Sequence, residues 1–403
     1  MELRKINISD IGKIITGKTP RTSIAENYGG NIPFLTPSDD LSRKHVVKTG
    51  KTLSSIGLEE VKNCLIPEKS ICVSCIGSDL GKVVMTNIPT VTNQQINSII
   101  VREGFDPDFI YYLMKIVGRE LNFMSKTSTA VPIINKSIFS NTEVFVPNLE
   151  NQIRIGKILS SLDDKIELNR QINDNLEQQI QTLYREWFID NPKTEWATIA
   201  LSEVATFVSG YSYKGHELVD SSETAMATIK NFERNGGFKL DGYKPVSPSS
   251  KLKEEQHAEL FDILVAHTDL TQNAEVIGNA EIILSKDSYR DVIFSMDLVK
   301  VVAKESFPYQ FLLALLLKNP VFKSHCIGYV NGTTVLHMNK RALPDFNTQI
   351  PTCEDAARMN EIAKSIFTKM SENLSEIANL TKLRDSLLPK LMSGELKINE
   401  IDC

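Results

Sequence analysis

Residues 12–19 match the pattern of a phosphate-binding loop, in which glycines, a lysine and a threonine stand at fixed spacing. Such a loop binds phosphate only where a strand precedes it and a helix begins at the lysine, so that backbone N–H groups converge on the anion. Pro20 follows Thr19 at once, and a residue before proline is disfavoured in the helical region. We therefore disfavour nucleotide binding and interpret Lys18, Thr19 and Arg21 as a polar loop suited to contacts with phosphate or bases.

Other side chains that could do chemistry lack the spacing that the chemistry needs. Cys72 and Cys75 form a CxxC pair without a second ligand pair, and residues three apart on a strand point to opposite faces, so we interpret them as core cysteines. Residues 191–194 come nearest to an amino-methyltransferase motif but lack its second proline and its aromatic residue, and no G-x-G-x-x-G occurs. The six histidines are scattered: His45, His216, His257, His267, His325 and His337. We predict no catalytic residue, metal site or cofactor in this chain.

Composition bounds the class of protein. A chain of 403 residues suggests two to four domains, and 41% hydrophobic with 24% charged residues are typical of a soluble globular protein. The formal charge of −5 argues against a generally basic nucleic-acid coat, but it leaves local basic patches open. Residues 1–9 lack the apolar core of a secretory signal, and residues 311–317 are too short an apolar run to span a bilayer. Six irregularly spaced cysteines fit a reducing compartment, so we expect a cytoplasmic protein without membrane contact.

The sequence predicts two long helices, which would serve as the scaffold for the rest of the chain. From Leu162 to Trp187, seam residues recur at alternating spacings of four and three, as in a coiled coil, and the same register returns from Ile366 to Leu391. The predicted interface residues are Leu162, Ile166, Leu176, Ile180 and Leu183 in the first helix and Ile377, Leu380, Leu387 and Leu391 in the second.

Three asparagines interrupt the apolar seam. Asn169, Asn173 and Asn373 occupy seam positions, and Asn169 returns as Asn373 one repeat later. A buried asparagine costs stability but fixes the register of a coiled coil. The alternative is that these side chains face solvent or partner subunits.

The chain in front of each helix is also repeated. Residues 8–17 match residues 201–210 in class or identity at most positions, and the β-branched runs 70–73 and 262–265 both resemble buried strands. The fold class predicted is α+β, a tandem duplication of a mixed domain followed by a long helix. The predicted order is a first domain (1–150), a first helix (151–190), a second domain (191–350) and a second helix with its tail (351–403).

Several strings carry a resemblance to a known family. Residues 383–396 are close to the usual ending of the DNA-specificity subunits of type I restriction–modification systems. Residues 76–81 with 93–96 resemble the mid-domain segment of that family, and residues 184–188 resemble the end of its first helix. One departure is that residues 295–298 lack the Asn-Gln-Gln string, which leaves the equivalence of residues between the two blocks open.

The resemblance implies a function as well as a fold. Each globular block would be a target-recognition domain for one half of a bipartite site in double-stranded DNA, and the helices would pair antiparallel and set the half-site spacing. The chain itself would be non-catalytic. Two methyltransferase subunits that carry S-adenosylmethionine would dock on it, and restriction (translocase) subunits would join the complex.

DNA contacts are predicted at polar loop residues that can bond phosphate or base edges. In the first block they are Lys18, Thr19, Arg21, Lys126, Ser128 and Thr129, and in the second Tyr211, Ser212, Tyr213, Lys214, Asn331, Thr333 and Thr334. The alternative for each is an ordinary exposed loop residue. The alternative function is a coiled-coil scaffold whose blocks bind protein or another ligand, and the missing motifs disfavour a self-sufficient methyltransferase.

Overall fold

The chain forms two compact units in a computed structural model that describes residues 2–46, 48–126 and 134–396, without the side chains of residues 124–126. Unit 1 consists of Met1–Glu167 and Leu380–Cys403, and unit 2 is Leu168–Asn379. Each unit therefore combines one sheet-containing region with parts of both long helices.

The elements of unit 1 alternate short strands and helices in front of one long helix. The strands are β1 (Arg4–Asn7), β2 (Gly12–Thr16), β3 (Tyr28–Leu35), β4 (Lys51–Leu53), β5 (Leu65–Ile66), β6 (Ile71–Ser74), β7 (Val83–Met85), β8 (Thr90–Thr92), β9 (Ile96–Val101) and β10 (Glu143–Val146). The helices are α1 (Ile8–Ile11), α2 (Ser55–Val61), α3 (Pro107–Lys126), α4 (Lys136–Ser140) and α5 (Leu149–Tyr184), of which α5 continues into unit 2.

The elements of unit 2 follow a similar order after a single π-helical turn, Arg185–Asp190. The strands are β11 (Ala197–Ala200), β12 (Ala205–Ser209), β13 (Thr224–Ala227), β14 (Lys244–Pro245), β15 (Ile263–Ala266), β16 (Thr268–Asp269), β17 (Ala280–Ile282), β18 (Asp291–Phe294), β19 (Leu298–Ala303), β20 (Val330–Asn331), β21 (Leu336–Met338) and β22 (Asn347–Ile350). The helices are α6 (Leu201–Val204), α7 (Gln310–Leu317), α8 (Pro320–Ile327) and α9 (Cys353–Ser393), whose last part belongs to unit 1. Within the described ranges, none of these helices combines the length and hydropathy of a membrane span.

The two units share their sheet topology. Unit 1 has an antiparallel sheet in the order β2-β9-β6-β7, and unit 2 has the matching order β12-β19-β15-β17. A second sheet contains one parallel pair in each unit, β3 with β8 and β13 with β18. The first and last strands of each block close an antiparallel pair, β1 with β10 and β11 with β22. The predicted duplication of one α+β domain is therefore confirmed, and the predicted strands at 70–73 and 262–265 correspond to β6 and β15.

Apolar residues from sheet and helices form the core of unit 1. Fully buried Ile71 and Ile99 of the antiparallel sheet pack in one cluster with Phe109 of α3. The same cluster includes Leu159 of α5 and Leu391 of α9. Burying such side chains contributes roughly 1.5–3 kcal/mol each, so the helix segments are an integral part of this core.

Within unit 2, α5 and α9 pack antiparallel around the predicted asparagines. The Asn373 side-chain amide donates to Oδ1 of Asn173 at 2.8 Å, and the Asn173 amide donates to the carbonyl of Met370 at 3.1 Å. Asn169 donates to a carboxylate oxygen of Glu376 at 2.8 Å. These asparagines are buried and face the partner helix, not solvent, which fits a register-fixing role.

Within unit 1, an ion pair occupies the helix contact. Arg384 of α9 binds Asp163 of α5, and the Tyr112 hydroxyl of α3 donates to the same carboxylate at 2.6 Å. Asp163 is 7% exposed, whereas the predicted interface residue Leu162 is only half-buried. The buried stripe therefore lies one residue beyond the predicted one at this point, because the charge pair takes the buried position.

The other predicted interface residues are buried to different degrees. Ile166, Ile180 and Leu391 are buried, and Leu176, Leu183 and Leu387 are partly buried against the apolar cores. Ile377 and Leu380 are half-buried. The seam follows the predicted heptads best in the second half of α5.

We expect Lys115→Met to stabilise unit 1 at neutral pH. Burial and the nearby Arg384 cation lower the pKa of Lys115 from 10.5 to about 8. Below pH 8 Lys115 is charged in both states, and holding this charge in the folded protein lowers the free energy of unfolding. Between about pH 8 and 10.5 the folded protein has lost the proton and the unfolded chain still binds it, so the loss of stability shrinks as pH rises. Above pH 10.5 the lysine is neutral in both states and the loss is gone. The variant should therefore gain roughly 1–3 kcal/mol at pH 7 and progressively less above pH 8, as measured by urea unfolding. A gain that does not change with pH would contradict this explanation.

Candidate nucleic-acid interface

Three segments of unit 1 meet near the ends of β2, β6 and β9: residues 17–21, residues 93–96 and Cys75. The backbone N–H of Lys18 donates to the Thr92 carbonyl at 2.9 Å, and that of Cys75 donates to the Gln95 carbonyl at 2.9 Å. Ile134 donates in turn to the carbonyl of Cys75 at 3.0 Å. Backbone bonds therefore fix the loop that carries Lys18 and Thr19 against the turn at 93–96.

Gly17 allows this loop to lie against the turn. A Cβ atom at position 17 would lie 2.1 Å from the Thr92 carbonyl oxygen and 2.3 Å from that of Asn93. Both distances are far below van der Waals contact, so any side chain would push the loop and the turn apart. Glycine is needed here for space.

Unit 2 contains the same arrangement. Three backbone bonds hold it together. The N–H of Tyr211 donates to the Phe294 carbonyl at 2.7 Å, and the N–H of His267 donates to the Asp297 carbonyl at 2.8 Å. The N–H of Met338 donates to the His267 carbonyl at 2.9 Å. A Cβ atom on Gly210 would lie 2.0 Å from the Ser295 carbonyl oxygen. Each bond matches one in unit 1, donor for donor and acceptor for acceptor.

These matches define equivalent positions that the sequence alone left open. The equivalent pairs are Gly17 and Gly210, Cys75 and His267, Asn93 and Ser295, Gln95 and Asp297, and Ile134 and Met338. The turn at 295–298 therefore replaces the Asn-Gln-Gln turn of unit 1 and keeps its backbone while changing its side chains.

The predicted contact residues of unit 1 lie in different surroundings. Lys18 is exposed, and the Thr19 hydroxyl donates to Oε1 of Gln94 at 2.7 Å. The Arg21 guanidinium is exposed but donates from both Nε and Nη2 to Oε1 of Glu60, so its charge is already paired. Lys126 is the last residue of α3, and Ser128 and Thr129 lie outside the described residues.

Tyr211, the first predicted contact residue of unit 2, is buried and shapes the loop from within. The residue is 3% exposed, and its hydroxyl donates to Oε1 of Glu217 at 2.6 Å. This bond, with those from the backbone N–H groups of Lys214 and Ser249, lowers the pKa of Glu217 to about 2. The Glu217 carboxylate therefore ties residues 211–217 into one fixed loop. The contact that we predicted for Tyr211 would require its ring to leave this core.

The remaining predicted residues of unit 2 are more accessible. Ser212 and Lys214 are exposed and Tyr213 is half-buried. Asn331, Thr333 and Thr334 are exposed in the hairpin between β20 and β21. Gly332 of this hairpin has a φ of +116°, which favours glycine, and the Gln272 side chain donates to the Thr333 carbonyl at 2.7 Å. Thr268 of β16 pairs with His337 of β21, next to the Cys75-equivalent His267.

Phosphate-loop and zinc chemistry do not fit the folded segments. Residues 17–21 leave β2 as a loop, no helix begins at Lys18, and its N–H is already bonded to Thr92. Cys72 and Cys75 pack in different apolar clusters, and burial raises the pKa of Cys72 to about 12. Over the described ranges, no group of three or more His, Cys, Asp or Glu side chains is placed to hold a metal ion.

The sequence did not lead us to predict DNA contacts at Gln94, Met296 or Gln272. Gln94 and Met296 are exposed at equivalent positions of the two turns, and Gln272 adjoins the β20–β21 hairpin. The available signal was the match of residues 93–96 with 295–298 at the same place in each block. It places the two turns at the same point of each block, but it shows neither which residues correspond nor which side chains are exposed.

Comparisons with known proteins agree with this architecture. A family model described as the type I restriction modification DNA specificity domain matches residues 2–178. The type I restriction enzyme MjaIX specificity subunit of Methanocaldococcus jannaschii is 26% identical over 98% of this chain and 93% of its own length. The HindI specificity subunit of Haemophilus influenzae is 39% identical over a shorter stretch, 36% of this chain and 31% of the relative.

A solved structure has a similar fold. The type I restriction–modification S subunit from M. genitalium superposes with a TM-score of 0.54 at 16% identity, over 97% of this chain and 96% of that protein. The two sheet-containing regions, each followed by a long helix, are thus an arrangement already seen in a solved protein.

Proposed function

This chain belongs to the DNA-specificity (S) subunits of type I restriction–modification systems, and we propose that each of its units recognises one half of a bipartite double-stranded DNA site. The observation that carries the proposal is the loop cluster that occurs in equivalent form in both units. In unit 1 it consists of residues 17–21 and 93–96, and in unit 2 of residues 210–214 and 295–298, with matching backbone bonds. One scaffold that presents different side chains is suited to two different half-sites.

Exposed polar side chains on these loops supply the chemistry. Lys18 and Lys214 can bind phosphate, which gives most of the sequence-independent affinity of DNA-binding proteins. Ser212 on the 210–214 loop, and Thr333 and Thr334 on the separate β20–β21 hairpin, carry hydroxyls that can bond phosphates or base edges. The backbone bonds described above hold these loops in place before DNA arrives, which reduces the entropy lost on binding.

We further propose that α5 and α9 set the half-site spacing and dock the partner subunits. Helices of 36 and 41 residues are about 54 and 62 Å long, against about 34–36 Å between half-sites one DNA turn apart. Leu168 on α5 is 48% exposed and Leu383 on α9 is 46% exposed, which suits an interface with another protein. As the non-catalytic subunit, the chain would hold two methyltransferase subunits carrying S-adenosylmethionine, with restriction subunits joining the complex.

Mapping methylated adenines across the genome tests the proposal. Cells that express the chain with its methyltransferase subunit should show a bipartite motif that is absent without the chain. Exchanging the sheet region of one unit for that of another specificity subunit should change one half of the motif and leave the other half unchanged. A stable complex without any chain-dependent motif would support the scaffold function instead.

Lys18→Ala and Lys214→Ala should each weaken DNA binding by the assembled complex. If each lysine neutralises one phosphate, each substitution should lower the slope of log affinity against log salt by about 0.9. Lys62→Ala is the control, since Lys62 is also exposed but lies at the end of α2, where it pairs with Glu59. Competition binding at several salt concentrations measures the slope, and an unchanged slope in both variants would rule out these contacts.

A further inference from the structure

Gln94 is exposed on a turn whose other residues, 93, 95 and 96, are fixed by backbone hydrogen bonds. The backbone N–H of Asn93 donates to the Leu35 carbonyl at 3.0 Å, and the N–H of Ile96 donates to the Asn93 carbonyl at 3.2 Å. The Gln95 carbonyl accepts from the N–H of Cys75. Asn93 and Ile96 are buried, whereas Gln94 is exposed. The turn therefore has a fixed backbone and projects one long polar side chain.

The contact with Thr19 determines what Gln94 can offer a ligand. The Thr19 hydroxyl donates to Oε1 of Gln94, so one acceptor site of the amide is occupied, while its two N–H donors make no hydrogen bond to the part of the chain that the structure describes. The preceding residue, Lys18, is exposed and adds a cation to the same loop. This surface offers mainly hydrogen-bond donors and positive charge.

We propose that the Gln94 carboxamide, oriented by Thr19 and adjacent in the loop cluster to Lys18, is a phosphate-binding contact of unit 1. The inference rests on the proposed function. A phosphate accepts hydrogen bonds from every direction, whereas the adenine edge that a glutamine recognises requires one donor and one free acceptor. A glutamine whose acceptor is partly occupied by Thr19 matches the phosphate better.

The equivalent position of unit 2 has different chemistry. Met296 occupies the tip of the 295–298 turn, is 53% exposed, and carries no hydrogen-bond donor on its side chain. The backbone N–H of Ser295 donates to the Ala227 carbonyl at 2.9 Å, just as the N–H of Asn93 donates to the Leu35 carbonyl. The backbone of the turn is therefore retained. The glutamine contact therefore belongs to the half-site of unit 1.

Two substitutions of Gln94 test the proposal in the complex of the full chain with its methyltransferase subunits. Gln94→Ala removes the donors and should weaken binding roughly 10-fold for every sequence tested, without changing the methylation motif. Gln94→Glu keeps the shape and can still accept from Thr19, but it brings a negative charge to the phosphate and should weaken binding more than alanine does. Asn63→Ala, an exposed amide elsewhere in unit 1, is the control and should bind as the native chain does.

Single methylphosphonate substitutions in the DNA locate the contact. One uncharged linkage in the half-site of unit 1 should weaken binding by the native complex but not by the Gln94→Ala complex. A changed base preference in Gln94→Glu, such as a new preference for cytosine, would overturn the proposal, because it would make Gln94 a base contact. Native binding by both variants would overturn it too. If the native complex itself shows no bipartite motif, the proposed function fails instead.

Discussion

Replacing Arg384 with leucine is expected to destabilise unit 1 by about 3–5 kcal/mol, one of the largest effects of any single substitution in the chain. The change leaves the Asp163 carboxylate at 7% exposure, and among the described residues it keeps the hydrogen bond from the Tyr112 hydroxyl but loses the guanidinium that is bonded to it. A buried charge without its partner loses the Coulomb energy that offset its desolvation. The ion pair thus stabilises the contact between α5 and α9 within unit 1 only while both charges are present.

Hydrogen exchange measured as a function of urea separates this effect from the stability of unit 2. Slowly exchanging amides of α3 should open more readily in Arg384→Leu, while those of β15 in unit 2 should not change. The double variant Asp163→Leu/Arg384→Leu should recover much of the loss, because neither charge remains. Lys62→Ala, which breaks an exposed pair, should behave as the native chain. A single variant no less stable than that control would refute the role given to the pair.

Gly210→Ala is expected to destabilise unit 2 by about 3 kcal/mol and to disrupt recognition of its half-site. The new methyl group would lie 2.0 Å from the Ser295 carbonyl oxygen and 2.7 Å from that of Phe294. The 210–214 loop and the 295–298 turn would have to separate, which breaks the bond from Tyr211 to Phe294. Gly17→Ala should act in the same way on unit 1, because its Cβ would meet Thr92 as closely.

Gly215→Ala provides the matched control. Gly215 lies in the same loop as Gly210, but a Cβ atom there has no heavy atom within 4 Å. Methylation mapping should show one half of the motif lost or degenerate in Gly210→Ala, the other half in Gly17→Ala, and neither in Gly215→Ala. If Gly210→Ala and Gly17→Ala affected the same half, the assignment of one half-site to each unit would be wrong.

The repeated architecture could be predicted from the sequence because its signals are local and periodic. The runs at 70–73 and 262–265 are apolar and β-branched, and they form β6 and β15. The long helices were predicted within a few residues of α5 and α9, since no glycine or proline interrupts most of their length. Asn173 and Asn373 were found on the seam because heptad spacing locates a helix face regardless of residue type.

Contacts between residues distant in the chain determine which side chains are buried or paired, and these contacts could not be predicted from the sequence. Asp163 is buried in place of Leu162 because Arg384 and Tyr112, distant in the chain, meet it there. Arg21 is paired because α2 brings Glu60 beside it. Tyr211 is buried although its neighbour Ser212 is exposed, and no local pattern distinguishes the two. A polar loop predicts that contacts are available, but the packing behind it determines which side chains make them.

The division of the chain into units has a consequence for biosynthesis. Unit 2 is one continuous stretch, Leu168–Asn379, whereas unit 1 begins with Met1–Glu167 and is closed only by Leu380–Cys403. Leu388, Leu391 and Met392 belong to the apolar core of unit 1, so the ribosome delivers the last part of that core after all of unit 2. Domains usually fold in the order of their synthesis. In this chain the region made first is completed last, and until then it exposes apolar surface that a chaperone or a premature partner can bind.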